Sequence, residues 1–196
     1  MIEMSNDFKA IRELVLHYID IDDIEWEHCK SMFSLRRIKK KEIILRKGEV
    51  CRGIYFVVKG LLRIYFIDQN DEEKTFHFSL ENTFATDYQS FLKVTAADFH
   101  IQALENTTVI MINYEMLQLL YTNLRHGEKL GRVIAEDYFF LMNDKIKAFY
   151  TQTPLQRYNN MNASFPKILT RVPQHYIASY LNISPVHLSR LKRGVE

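Results

Sequence analysis

The pattern of hydrophobic and polar positions along this chain changes its period twice. Residues 6–33 carry apolar side chains at helical spacing, which predicts two helices, the second around Ile24–Phe33. From Lys41 to about Ile112, short β-branched and aromatic runs are separated by turn signals roughly every 8–12 residues, as in an antiparallel barrel or roll. The predicted strands are Glu42–Leu45, Gly53–Val58, Leu61–Ile67, Glu73–Ser79, Phe99–Ala103 and Thr108–Ile112, with a short helix around Asp87–Leu92 in the one long interruption. After Asn113 the spacing is helical to the end, so the predicted fold class is α+β.

A long helix, Glu128–Tyr150, is predicted to carry two apolar stripes. The first stripe is Leu130, Ile134, Tyr138 and Leu141, and the second is Phe139, Met142, Ile146 and Phe149. A helix that is apolar on two faces has to bury both of them. One face can cover the chain's own roll, and the other predicts a homodimer with paired long helices, in which the first stripe is the expected contact.

The stretch Val172–Arg193 predicts two short helices around a tight turn. Asn182 tolerates the left-handed conformation that a sharp turn needs, and Ser184 followed by Pro185 is a helix-start signal. The apolar positions predicted to face the core are Ile177, Ala178, Leu181, Leu188 and Leu191, and those predicted to face outward are Val186, His187, Ser189 and Arg190. This pattern is typical of a helix-turn-helix, whose second helix enters the major groove of DNA; an ordinary helical hairpin is the alternative.

The charges are distributed unevenly. From Thr151 to the end there are six Lys or Arg and one acid, a net charge of +5, while the rest of the chain has 20 basic and 23 acidic residues. A basic end on a slightly acidic body favours a partner that carries phosphates, although a solvated basic face would look the same.

Composition excludes several classes of protein. No apolar run approaches the ~20 residues of a membrane span, and the N-terminus does not follow the plan of a signal peptide. A cytoplasmic protein with no membrane partner is therefore expected. The two cysteines, Cys29 and Cys51, are too few for a disulfide framework or an iron–sulfur cluster.

The order of predicted parts resembles the Crp/Fnr family of bacterial transcription regulators. The segments that carry the resemblance are Gly48-Glu49, Ile54-Tyr-Phe-Val57 with Gly60, Ile112-Asn-Tyr-Glu115, and a tail running from Pro154–Tyr158 through Arg171–Pro173 to Leu188–Arg190 that is similar to Bacteroidetes-type members. The resemblance implies an N-terminal jelly roll like that of cyclic-nucleotide-binding proteins, a long dimerisation helix and a C-terminal helix-turn-helix. The implied domains are residues 1–127, 128–150 and 151–196. The implied partners are a double-stranded DNA operator, a second copy of the chain and RNA polymerase.

The resemblance also assigns residues to DNA binding. Arg190 falls where the family's recognition helix carries an arginine that reads a guanine edge. The other DNA-binding candidates are Gln174, Ser184, His187, Ser189, Lys192 and Arg193. Pro185 and Val186 stand where family members carry Arg and Glu, so a different half-site is expected. The sequence also ends at Glu196, before the β-hairpin wing that usually follows, so a truncated head is expected.

The effector pocket departs from the pattern of members that bind cyclic AMP. Alignment places Ala97 and Asp98 where those members carry an Arg-Ser pair, and Asp87 near the position where they carry a glutamate, with Tyr88 beside it. Glu81–Glu105 contains four acids and one base, Lys93. A buried phosphate would have no charge partner there, so cyclic AMP is disfavoured and no cofactor is expected. Another ligand, a protein-level signal and no ligand remain open.

Two other functions compete with this one. A cupin-like metalloenzyme would use strand histidines such as His77 and His100, but these are separated by 23 positions and no His-x-His pair accompanies them. No catalytic residue and no metal ligand set are predicted, and an enzyme is not expected. A dimeric sensor with a decayed DNA-binding head is the second alternative, and Pro185, Val186 and the missing wing favour it.

Overall fold

The computed structural model describes residues 7–165 and 167–193. The helices in these residues are α1 (Lys9–Tyr18), α2 (Asp23–Met32), α3 (Tyr88–Lys93), α4 (Tyr114–Asn123), α5 (Gly127–Thr151), α6 (Pro154–Ser164), α7 (Ile168–Arg171), α8 (Gln174–Leu181) and α9 (Pro185–Lys192). The strands are β1 (Ser34–Ile38), β2 (Ile43–Leu45), β3 (Ile54–Lys59), β4 (Leu62–Ile67), β5 (Glu73–Ser79), β6 (Phe84–Ala85), β7 (His100–Ala103) and β8 (Thr107–Ile112).

The strands form two four-stranded sheets, with the orders β1-β8-β3-β6 and β2-β7-β4-β5. Their registered pairs are antiparallel, for example Phe56 opposite Ile110 in the β3–β8 pair. Sequential strands seldom lie side by side, which is the arrangement of a roll rather than a meander. All six predicted strands are present, and the predicted α+β class and β-roll are confirmed.

The sequence interpretation contained no strand at β6, and it gave the charged run that begins at Arg36 as a solvated loop or strand edge. The first half of this run is the end of β1, which pairs with β8 at the edge of its sheet. The two-residue strand β6 lies in the long interruption and is too short to show a period. Helix α7, with four residues, was missed for the same reason.

Turn geometry closes the roll at Gly60, between β3 and β4. Its φ is +105°, which a residue with a side chain rarely adopts. A Cβ at this position would also lie 2.5 Å from Thr107 Oγ1 and 2.7 Å from Thr107 Cα. Phe56, Leu61 and Ile110 pack without exposure in the core beside it.

The chain forms two compact units. The first contains the residues up to Ile64 together with Phe78–Asp137, and the second contains Tyr65–His77 together with the residues from Tyr138 onward. Strand β4 therefore begins in the first unit and ends in the second, whereas β5 begins in the second unit and ends in the first. The first unit contains the roll core and the helices that precede it. The second has its own apolar core, formed by Met161, Ile168, Val172, Ile177, Ala178, Leu181, Leu188 and Leu191.

Helix α5 leaves large apolar side chains in solvent. Phe139 is 68% exposed, Ile146 58% and Leu141 44%. Leu130, Ile134 and Tyr138 are half-buried. No helix in the described residues is long and apolar enough to cross a membrane.

Candidate functional site

Helices α8 and α9 meet at a left-handed residue, as the sequence predicted. Asn182 has φ 54° and ψ 49°. Its N–H donates to the Ser179 carbonyl at 3.1 Å, and the N–H of Ile183 donates to the Ala178 carbonyl at 3.0 Å, so the last turn of α8 is closed by backbone bonds. Ser184 then caps α9 by accepting the N–H of His187 at 3.2 Å, with Pro185 in the first helical position.

An arginine outside the two helices holds the end of α8. The Arg157 guanidinium on α6 donates to the Leu181 carbonyl through Nε and Nη2, both at 3.3 Å. Its Nη1 donates to the Gln152 carbonyl at 2.7 Å, and the group lies 5.5 Å from the ring centroid of Phe149. Carbonyls at a helix C-terminus have no partner within the helix, so a cation there is stabilising. The Arg157 side chain thus joins the end of α8 to α6 and to Phe149 of α5.

The outward face of α9 is polar, basic and open. Val186, His187, Arg190, Lys192 and Arg193 are exposed, and Ser189 is half-buried. Ser184 and Gln174 are exposed at the starts of α9 and α8. None of the three basic side chains is in an ion pair within the part of the chain that the structure describes. Cations without acidic partners on one exposed face can bind phosphate oxygens, and Arg can also read a base edge.

In the roll, Asp87 is a structural cap. It is buried, and its Oδ1 accepts the N–H of Ser90 at 3.0 Å as the N-cap of α3. Its Oδ2 accepts the N–H of Asp98 at 3.1 Å. Asp87 therefore contacts Asp98 through the backbone N–H of Asp98, and both carboxylate oxygens of Asp87 accept hydrogen bonds. The assignment of the two residues to an effector pocket stays a prediction.

Backbone hydrogen bonds also hold the segment around Ala97. The buried Ala97 donates its N–H to the Glu49 carbonyl at 2.8 Å and accepts the N–H of Gly48 at 2.8 Å. The Ser90 hydroxyl accepts the N–H of Cys51 at 2.9 Å and donates to the Thr95 carbonyl at 2.6 Å. At the position where the resemblance implies an Arg-Ser pair in members that bind cyclic AMP, this chain has the methyl group of Ala97 and a loop held by backbone hydrogen bonds.

Tyr88 contacts α4 rather than the Asp87 cluster. Burial, the charge of Tyr88 and a side-chain hydrogen bond with it raise the pKa of Tyr121 to about 12. Helix α3 then ends at Val94, a β-branched residue in the left-handed conformation at φ 53°. Such a conformation costs energy in a β-branched residue, so the surrounding contacts must hold it.

The candidate metal ligands do not form a cluster. No three His, Cys, Asp or Glu side chains in the described residues are arranged to hold a metal ion. His77 lies buried in β5 and contacts the Phe165 ring, with centroids 5.9 Å apart. Burial and, secondarily, the charge of Lys145 lower the pKa of His77 to about 3, so the ring is neutral.

Comparison with known proteins agrees with this architecture. Residues 35–123 match the family model of the cyclic nucleotide-binding domain. A search of curated proteins found no match.

Solved structures extend the likeness to the whole order of parts. FixK2 from Bradyrhizobium japonicum is 15% identical, with a TM-score of 0.71 over 83% of this chain and 84% of that one. A CooA mutant from Carboxydothermus hydrogenoformans is 17% identical, with a TM-score of 0.66 over 92% and 81%. The regulator CLP from Xanthomonas campestris is 15% identical, with a TM-score of 0.66 over 88% and 91%. The chain has the fold of the Crp/Fnr regulators, as predicted, and the likeness to Bacteroidetes-type members stays a prediction.

Proposed function

We propose that this protein is a dimeric, sequence-specific DNA-binding transcription regulator whose roll does not take cyclic AMP. Residues 1–127 are the sensor part, 128–150 the dimerisation helix and 151–196 the DNA-binding head. The prediction that the head ends before a β-hairpin wing concerns residues 194–196, which lie outside the described residues. The observation that carries the proposal is the open basic face of α9, capped by Ser184 and packed on α8 through Leu188 and Leu191. RNA polymerase is the further partner that a promoter-bound regulator would meet.

Base reading is assigned to α9. Arg190 has a planar guanidinium that can donate to O6 and N7 of guanine together, a contact worth about 1–3 kcal/mol of discrimination. Ser184, His187 and Ser189 can add hydrogen bonds to bases or phosphates. Gln174, Lys192 and Arg193 are assigned to the DNA backbone, where contacts give affinity without sequence choice.

A second copy of the chain is proposed to cover α5. The first apolar stripe, Leu130, Ile134, Tyr138 and Leu141, remains the proposed contact, and the exposure of Phe139 and Ile146 adds the second stripe to it. Apolar side chains in such a row are expensive to leave in water, since burying one gains about 1.5–3 kcal/mol. Two-fold pairing of the long helices would bury the same row on both copies.

The exclusion of cyclic AMP is supported by the contacts of the cassette. Both oxygens of the Asp87 carboxylate already accept backbone hydrogen bonds, Ala97 offers no cation, and Lys93 is exposed to solvent. Calorimetry with cyclic AMP and cyclic GMP should show no micromolar binding. CLP is a c-di-GMP responsive global regulator, so c-di-GMP belongs in the same titration.

Selection of bound sequences from a random duplex pool tests the function. The proposal predicts enrichment of a two-fold site whose halves lie about one helical turn apart. Affinity for unselected duplex should fall as salt rises, because bound phosphates release counterions. No enrichment together with no salt-dependent binding would favour a sensor whose DNA-binding head has decayed.

A further inference from the structure

A hydroxyl on the helix-turn-helix caps the edge of a roll strand. Strand β5 stands last in the order β2-β7-β4-β5. The Ser179 hydroxyl on α8 accepts the N–H of Thr75 at 2.8 Å and donates to the Glu73 carbonyl at 3.1 Å. Residues two apart in a strand present their backbone groups on the same side. Ser179 thus takes the place that a neighbouring strand would occupy on an edge.

A lysine from α5 reaches the same strand. Lys145 Nζ donates to the Phe76 carbonyl and lies 5.0 Å from the Phe76 ring centroid and 4.1 Å from that of Tyr180. Tyr180 contacts the Phe165 ring at 5.9 Å between centroids. Helices α5 and α8 therefore both contact the segment of β5 from Glu73 to Phe76.

This cluster is short of negative charge. Burial alone lowers the pKa of Lys145 to about 7, and no carboxylate within the described residues pairs with its ammonium. The other titratable groups that face it are His77, which is neutral, and Tyr180, whose pKa burial raises to about 12. A charged Lys145 is held only by a carbonyl and two aromatic faces, which is a weak substitute for water.

We propose that the tip of the β4–β5 hairpin is a docking seat for the helix-turn-helix, held closed by Ser179 and Lys145. We call this contact the hairpin latch; it comprises Glu73, Thr75, Phe76, Lys145, Ser179 and Tyr180. Strands β4 and β5 continue into the roll sheet, so a displacement of the hairpin is transmitted to α8 directly. The latch leaves the outward face of α9 exposed, and its role is to fix the position of that helix rather than to cover it.

Amide hydrogen exchange of the DNA-free protein tests the latch, with Ser179→Ala as the main variant. Loss of the two hydroxyl bonds should speed exchange at Thr75 by about five- to tenfold, while Phe56 and Ile110 in the roll core are unchanged. The matched control is Thr151→Ala, whose hydroxyl donates at 2.9 Å to the Lys147 carbonyl of its own helix. Equal exchange at Thr75 in the two variants would overturn the latch.

A second variant covers the case in which Ser179→Ala loosens the whole chain. Burial in the closed latch lowers the pKa of Lys145 to about 7, whereas a lysine released into solvent has a pKa of about 10.5. Between these two pH values the released lysine is protonated and the buried lysine is mostly neutral, so raising the pH favours the closed latch. Protection of Thr75 in the wild type should therefore rise between about pH 7 and about pH 8.5, by up to about tenfold per pH unit. Lys145→Met should abolish this rise, and the same rise in the variant would overturn the role of Lys145.

The consequence for DNA rests on the proposed function, but the latch itself does not. Ser179→Ala should weaken binding to a selected two-fold site several-fold and leave affinity for random duplex unchanged, because phosphate contacts do not need a fixed head. Wild-type protein that binds no DNA would refute the proposed function while the exchange results still decide the latch. A selected site bound equally by Ser179→Ala and the wild type would refute the positioning role.

Discussion

The capping role of Asp87 leads to a quantitative prediction for Asp87→Ala. The substitution removes the N-cap of α3, which usually costs about 0.5–2 kcal/mol. It also takes the acceptor from the N–H of Asp98, and an orphaned buried donor costs about 1–3 kcal/mol. The Asp98 end is only partly buried, so water can replace part of that bond. We therefore expect a loss of about 1.5–3 kcal/mol in the free energy of unfolding of the roll.

The chain provides its own probe and control for this measurement. Trp26 is the single tryptophan and is buried in the roll unit, so its fluorescence during urea unfolding reports on that unit. A loss of about 2 kcal/mol should lower the urea midpoint by roughly 1 M. Asp98→Ala keeps the backbone N–H that Asp87 binds and should stay within about 0.5 kcal/mol of the wild type. Equal stability of the two variants would refute the cap and leave the Asp87 carboxylate available to an effector.

Two further substitutions test the roll and the dimer. Gly60→Ala should destabilise the roll by about 2 kcal/mol or more in the same urea assay, because the methyl group would overlap the backbone of Thr107; an unchanged midpoint would contradict the close approach. Ile146→Glu should weaken self-association about tenfold or more in sedimentation equilibrium, whereas Ile24→Glu, at an apolar position that is 84% exposed on α2, should not. Equal association constants for the two variants would remove α5 from the interface.

The sequence predicts this fold well where one period dominates a segment. The six predicted strands have alternating or continuous apolar runs, and the turn at Asn182 and the cap at Ser184 depend only on local backbone preferences. The pattern leaves β1 open between a loop and a strand edge, because Arg36, Arg37 and Lys39 conceal the single buried side chain of Ile38. The local sequence pattern is therefore sufficient to predict helices and strands, except where charged residues lie on a strand.

The candidate sites were less predictable because their contacts join distant residues. Alignment placed Asp87 in the cassette, but nothing local shows that its second oxygen accepts a bond 11 positions away. Sequence reasoning also missed the polar side chains that the fold buries. Arg63 is fully buried in β4, and Lys145 belongs to neither apolar stripe of α5, although burial lowers its pKa. Ser179 carries no sequence signal for its role, since its partners are backbone groups.

The central claim, that α9 reads DNA sequence, is tested most directly by the affinity of Arg190→Ala for a selected duplex. Fluorescence anisotropy should show a loss of at least about 30-fold, since a dimer would lose two contacts of about 1–3 kcal/mol each. Affinity for a scrambled duplex should fall only modestly, and self-association should not change. The control is Lys40→Ala, an exposed lysine on the roll, which should bind both duplexes as the wild type does. Unchanged affinity of Arg190→Ala for the selected duplex would contradict the account.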